Sequence, residues 1–313
     1  MSALPGGREN TTTNPSGRFA PSPSGPLHFG SLVAAVASYA DARSRGGTWR
    51  LRIDDIDVQR SREEAVDDIV ATLARHGFRH DGAIARQSQR IGRYDAALAV
   101  LQARGAVFAC RCSRADLAAA PVGRTGERIY PGTCRTRAMA SPAPRGRVAW
   151  RVAVDDKTIG FVDRLQGQQQ QALATEAGDF IVRRSDGLYA YQLAIVVDDG
   201  DDAITDIVRG ADLLHSTARQ ILLQRLLGLP TPSYLHVPVA INPHGDKLSK
   251  QTRAHALAGD PVAALAAAWQ FLGQQGPVSP PRSPAQFWQH AIREWSPSRI
   301  APVEMQPCPA QWL

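Results

Sequence analysis

The apolar positions change rhythm several times in the first hundred residues. Arg18-Phe19-Ala20 reads as a short strand that runs into a Pro/Gly-rich loop, PSPSGPLHFGS. Leu32 to Arg45 has helical spacing and is closed by Gly46-Gly47. Trp49, Leu51 and Ile53 alternate with polar residues, the period of a half-buried strand, which ends in Asp54, Asp55 and Asp57. Ser61 and Glu64 predict a capping box for a helix with Val66, Ile69, Val70 and Leu73 on one face. A further helix carries Tyr94, Leu98 and Leu101 and stops near Gly105. Strands alternating with helices predict a parallel α/β sheet.

The rhythm breaks between 107 and 187. A cysteine-bearing segment comes first, then β-like runs at 148–154 and 159–162, then a hairpin signal at Ser185-Asp186-Gly187. The alternation then resumes, with helices at 191–197 and 216–227 and strands at 204–208 and 234–241. Two helices close the chain, at 261–272 and 284–295. The expected layout is a disordered arm (1–17), an α/β half (18–106), an insertion (107–187), a second α/β half (188–251) and a short helical C-terminal region (252–313). A split nucleotide-binding sheet of this kind places its site at the carboxyl ends of the strands, where the halves meet.

Composition adds limits rather than an answer. The 313 residues carry 43% hydrophobic and 21% charged side chains, an ordinary soluble balance. The net charge of +7 suits a polyanionic partner such as RNA, but an alanine- and arginine-rich composition also produces it. Cys110, Cys112, Cys134 and Cys308 do not resemble a secreted disulfide framework. The N-terminal stretch has no apolar core of a signal peptide, and no segment is long and apolar enough to span a bilayer. The expectation is a cytoplasmic protein, monomeric, with no membrane partner.

Two short stretches carry chemistry. His28-Phe29-Gly30-Ser31 sits where a loop enters a helix, whose free amides and positive pole suit phosphate. The plain alternative is a histidine that caps its own helix. The second stretch, GDKLSKQ, holds Lys247 and Lys250, two of only three lysines in a chain that otherwise uses arginine. A flexible stem with a point charge follows a moving phosphate better than a planar fork does. Neither a Walker A sequence nor a G-x-G-x-x-G is present.

Together, RFAPSPSGPLHFGS and KLSKQ resemble the paired HIGH and KMSKS signatures of class I aminoacyl-tRNA synthetases. GRFAPSPSGPLHFGSL, LRIDDID, DGLYAYQLAIVVDD, IVRGADLL and KLSKQ occur in the order of the glutamyl branch, from Arg18 to Gln251. The chain stops soon after KLSKQ, before an anticodon-binding domain would fit. In this it resembles the truncated glutamyl-Q tRNA(Asp) synthetases. That family activates glutamate with ATP without needing tRNA, then esterifies the cyclopentenediol of queuosine in the anticodon of tRNA(Asp).

The resemblance implies roles. Arg18 and Arg209 grip substrate carboxylates, Ser22 hydrogen-bonds glutamate, and Tyr191 lines the amino-acid pocket. His28, Gly30, Lys247 and Lys250 serve ATP, which arrives with Mg²⁺, and His28 and Lys250 are catalytic. Asp54 stands where the family usually has the Glu that holds the substrate ammonium. One methylene fewer draws the carboxylate back by on the order of 1 Å, so altered glutamate affinity is expected rather than loss.

The cysteines form a second candidate site. Cys110, Cys112 and Cys134 offer three soft ligands to zinc, with buried free thiols as the alternative. The residues leave Asp116, Glu127, Tyr130 or water as the fourth ligand. The resemblance points to Tyr130 in a C-x-C…Y-x3-C site with a structural zinc. Three other functions stay open from sequence: a minimal glutamyl-tRNA synthetase charging a 3′ end, a non-catalytic zinc protein that binds RNA, and an adenylating enzyme with a non-RNA acceptor.

Overall fold

A computed structural model describes residues 14–57, 59–123, 126–138, 147–248 and 256–313. The first half runs β1 (Ser16–Phe19), α1 (Phe29–Ser44), β2 (Thr48–Ile53), α2 (Glu63–Arg75), β3 (Ala85–Arg86) and α3 (Ile91–Ala103). The three strands pair in parallel in the order β1-β2-β3. The strand expected from Arg18 starts at Ser16, inside the expected arm, because Pro15 and Ser16 are already tied down. The Pro15 carbonyl accepts the Thr48 amide, and the Ser16 amide donates to Thr205 Oγ1.

The insertion follows as β4 (Val107–Cys110), α4 (Thr133–Ala138), β5 (Ala149–Val152), β6 (Thr158–Asp163), β7 (Gly167–Ala172), α5 (Leu173–Glu176) and β8 (Ile181–Arg183). β4, β5 and β8 form a separate antiparallel sheet. The second half resumes with α6 (Tyr191–Asp201), β9 (Asp206–Gly210), α7 (Thr217–Leu227), β10 (Ser233–Val237) and β11 (Val239–Ile241). Here the single strand expected at 234–241 is two, broken at Pro238, which has no amide to give to a ladder.

β9, β10 and β6 pair in parallel, with β7 antiparallel on the outer edge of β6. The hairpin β6–β7 is thus inserted in sequence but joins the second half in space. The two parallel sheets meet edge to edge at β1 and β9, where the Thr205 amide donates to the Ser16 carbonyl. The crevice beyond the ends of β1, β9 and β10 is the place where a doubly wound sheet takes its ligand.

Two cores hold the halves. One packs α1 and the strands of the first half against the C-terminal helices α8 (Pro261–Phe271) and α9 (Pro284–Glu294). Trp288 of α9 sits among Tyr39 and Phe78, and its indole donates to the His76 carbonyl. A last strand, β12 (Met305–Pro307), pairs in parallel with β11. The second core lies between α3, α6, α7 and the strands of the second half.

Helix starts are only partly as expected. Asp260 and Ser283 cap α8 and α9, each ahead of a proline in the first turn. The expected Ser61–Glu64 capping box is absent. α2 begins after Arg62, and the Ser61 hydroxyl is spent on the Asp57 carbonyl, which closes the preceding turn instead.

Candidate active site

A cavity of about 410 Å³ opens between the halves at the strand ends. Its walls include Arg18, Ser22, His28, Gly30, Tyr191, Arg209 and Lys247. Those seven candidate residues, spread over 230 positions of chain, are therefore brought together. Asp54 is not among them. It lines an adjoining cavity of about 510 Å³ that shares Ser22, Ser24 and Tyr191 with the first.

His28 is the last extended residue before α1, and its side chain does not cap the helix. The ring lies instead over Gly30, where a Cβ would meet His28 Cε1 at 3.2 Å and Nδ1 at 3.3 Å. Glycine in this first turn leaves room for the imidazole and for a ligand against the helix start.

The lysine loop reaches the same place. Leu248, the last described residue of this loop, donates its amide to Ala240, and its carbonyl approaches the Gly30 position. Further along the chain, Ala256 bridges to His28, and the Leu257 amide donates to the Leu27 carbonyl. Ala256 and Leu257 are thus bonded to the His28 loop, and Leu248 lies near the first turn of α1. Ser249, Lys250 and Gln251 themselves lie outside the described residues. Lys247 is exposed and pairs with Asp212.

The two arginines differ in what they touch. Arg18 is buried with a closed fork, its Nε and Nη2 donating to the two oxygens of Asp199 at 3.1 Å each. Arg209 is equally buried but has no carboxylate partner among the described residues. Nε donates to His236 Nε2 at 2.9 Å and Nη2 to Thr217 Oγ1 at 2.9 Å. Its Nη1 is buried with no hydrogen-bond partner among the described residues. Arg209 lines the cavity, and a buried guanidinium nitrogen without a partner is expensive, a cost that a carboxylate oxygen removes.

A charge cluster lies behind the cavity. Arg52 donates to Asp54 Oδ1 at 2.7 Å and to Asp199 Oδ1 at 2.7 Å. Asp198 takes Gln87, Arg90 and Tyr94. Burial pushes the Asp54 carboxyl up to about 6; the Arg52 charge pulls it down, while Asp198 and Asp199 push it further up. Burial alone would also raise Asp199, yet the charges of Arg18 and Arg52 hold it below the usual range. One carboxylate here is locked in the fold and the other, at a cavity wall, is poised to titrate.

In the insertion, the sulfurs of Cys110, Cys112 and Cys134 lie within 4.8 Å of one another. The Tyr130 hydroxyl is 3.5 Å from the sulfurs of Cys110 and Cys112, and Cys112 and Cys134 are 3.6 Å apart. A tetrahedral zinc with Zn–S of about 2.3 Å and Zn–O of about 2.0 Å needs S···S edges of about 3.8 Å and S···O edges of about 3.5 Å. The cluster is the right size and chemistry for that ion. Asp116 turns away to the Ser113 amide and hydroxyl, and Glu127 pairs with Arg219. Cys308 is buried next to β12 in the first core and is not part of this group.

Sequence reading missed Asp163, Asp199, Thr217 and His236. Asp199 had a signal: two acids end the apolar helix run AIVVDD. His236 had a weaker one, a single polar side chain among the apolar residues of YLHVPVA.

Comparison with known proteins agrees with this architecture. The family model for the catalytic domain of class I tRNA synthetases (E and Q) matches residues 16–266. "Glutamyl-Q tRNA(Asp) synthetase" of Aromatoleum aromaticum is 54% identical over 90% of this chain and 88% of that protein. The protein of the same name from Thiobacillus denitrificans is 50% identical over 94% and 98%. The crystal structure of glutamate-tRNA synthetase from Elizabethkingia anophelis aligns with a TM-score of 0.79 over 96% of this chain and 69% of that one. At 23% identity this is a likeness of fold. Among the described residues no helix is long and apolar enough to cross a membrane. The chain belongs to the class I tRNA synthetases of the E and Q type, in the company of relatives named glutamyl-Q tRNA(Asp) synthetase.

Proposed function

We propose that the chain activates L-glutamate with ATP and passes it to the queuosine ring of tRNA(Asp). The observation that carries the first step is the shared cavity, lined both by Arg209, whose buried Nη1 has no partner among the described residues, and by the His28–Gly30 helix start. An amino acid held by its side-chain carboxylate at Arg209 extends toward phosphates at the helix start. Its α-carboxylate oxygen attacks the α-phosphorus in line. The bond to the bridging oxygen breaks, and pyrophosphate leaves with the electron pair. No protein nucleophile is needed. The chain supplies position and charge, from His28, the amides around Gly30, Lys247 and Lys250. ATP enters as its magnesium complex.

Arg18, Ser22 and Tyr191 complete the glutamate pocket, and Asp54 takes the ammonium from the adjoining cavity. Its place in the wall of the adjoining cavity goes with the shorter side chain: the ammonium is met from the side or through a water. In the second step a hydroxyl of the cyclopentenediol attacks the mixed anhydride carbonyl, and AMP leaves. The names of the relatives support this acceptor. A structural zinc held by Cys110, Cys112, Tyr130 and Cys134 staples the insertion and takes no part in either step. The domain plan of two catalytic halves, a zinc-bearing insertion and a helical C-terminal region accompanies this reading.

The test is glutamate-dependent ATP–pyrophosphate exchange without tRNA, then transfer of labelled glutamate to tRNA(Asp) with and without queuosine. Exchange plus labelling of only the queuosine-bearing tRNA is expected. Labelling abolished by periodate oxidation of the tRNA 3′ end, despite protection of the queuosine diol, makes the chain a minimal 3′-charging synthetase. Absence of exchange makes it a binding protein.

A further inference from the structure

Arg209 is oriented by uncharged groups. Because His236 Nε2 accepts the Arg209 Nε–H, the imidazole proton sits on Nδ1, which faces Asp163 Oδ2 at 2.6 Å. The other oxygen of Asp163 is pinned by three amides, those of Leu165, Gln166 and His236, at 2.9–3.2 Å. Both oxygens of the carboxylate are thus assigned, and with them the tautomer of the ring. Burial lowers the His236 pKa to about 4; the Asp163 hydrogen bond opposes this and the Arg209 charge adds to it. The imidazole is therefore neutral at physiological pH. A neutral acceptor aims a guanidinium without cancelling its charge. Asp199 does the opposite to Arg18.

We propose that Asp163 and His236 are positioning residues for glutamate selection: together they fix Arg209 so that Nη1 presents an uncompensated positive charge to the substrate carboxylate. The inference rests on the placement of glutamate at Arg209 proposed above. It gives the β6–β7 hairpin a part in specificity, since Asp163 ends β6. It also accounts for a histidine at 236. A carboxylate there would close the second fork and erase the preference for glutamate over glutamine. An apolar residue would leave Nε–H unpaired and the guanidinium free to turn.

Asp163→Asn is the discriminating variant. The three amides hold the carbonyl oxygen of the new side chain, so its NH₂ faces His236 Nδ1. The ring proton is then driven to Nε2, where it opposes the Arg209 Nε–H donor to donor. The full-length chain is compared as wild type, Asp163→Asn and His236→Gln, whose Oε1 keeps an acceptor for Arg209. Imidazole ¹⁵N shifts, calorimetric titration with L-glutamate and L-glutamine, and KM values for glutamate and ATP in pyrophosphate exchange are measured on each. Expected are an Nδ1–H tautomer in the wild type and Nε2–H in Asp163→Asn. That variant should bind glutamate about ten- to hundred-fold more weakly, with KM for ATP within about two-fold. His236→Gln should stay within about five-fold of wild type. An Nε2–H tautomer in the wild type overturns the proposal. So does unchanged glutamate affinity in a folded Asp163→Asn, an equal rise in both KM values, or a folded His236→Gln ten-fold or more impaired. Wild type that binds glutamate but catalyses no exchange overturns the proposed function, while tautomer and titration still decide the roles of Asp163 and His236.

Discussion

Arg18 and Asp199 meet as a two-pronged buried pair, joining the first strand to the last turn of α6 across 181 positions of sequence. Arg52 shares the same carboxylate. Removing one partner of such a pair leaves a charge uncompensated in a low dielectric, at about 3–5 kcal/mol. Asp199→Asn is expected to lower Tm by on the order of 10 °C in a thermal melt. Arg93→Ala, which breaks an exposed pair with Asp201, should barely move it.

The contact of His28 with Gly30 gives a prediction about ATP. A methyl at position 30 would press on the imidazole at 3.2 Å, and the ring must shift. Gly30→Ala should raise KM for ATP about ten-fold and leave calorimetric glutamate binding within about two-fold, by analogy with the cost of a misplaced catalytic group. Equal loss of both affinities would point to a collapse of the helix start instead.

Asp54 predicts a pH dependence. Its folded pKa is raised to about 6, burial being the main cause. Only the ionised form attracts an ammonium. As pH falls through about 6 the carboxyl takes a proton and the attraction is lost, so KM for glutamate should rise about ten-fold per pH unit below that point. The rise should be absent in Asp54→Asn, whose KM is high at every pH. A wild-type KM that is flat from pH 5 to 8 would remove Asp54 from the ammonium site.

Much of this was legible in the sequence because it rests on local rules. Helices α3, α6, α7, α8 and α9 follow the apolar spacing, and Asp260-Pro261 and Ser283-Pro284 mark two helix starts. The ordered motifs also pointed to His28, Gly30 and Arg209 on one cavity. What escaped depends on partners far away in the chain. Ser61 has the right spacing for a cap but finds the Asp57 carbonyl first. Arg18 and Arg209 read alike as motif arginines, yet one is neutralised by Asp199 and the other is held by a neutral imidazole. No local pattern distinguishes them. Lys250, one of the two lysines of GDKLSKQ, lies outside the described residues.

The cysteine cluster predicts metal content. Purified wild type should carry about one zinc per chain, and Cys112→Ser well under half of that, with a lower Tm. Cys308→Ser should keep the full complement, because Cys308 packs in a different core and is not one of the grouped sulfurs. Equal zinc in Cys112→Ser and wild type would refute the ligand set.

The central claim is that one ligand spans both halves of the sheet. The direct measurement is a crystal structure of the chain with a non-hydrolysable glutamyl-adenylate analogue. The account predicts a single bound molecule, its side-chain carboxylate on Arg209 Nη1 and its phosphate mimic against His28 and the Gly30 amide, with the Lys250 ammonium in contact with the same mimic. An analogue bound away from Arg209, or with His28 and Lys250 facing separate cavities, would contradict it.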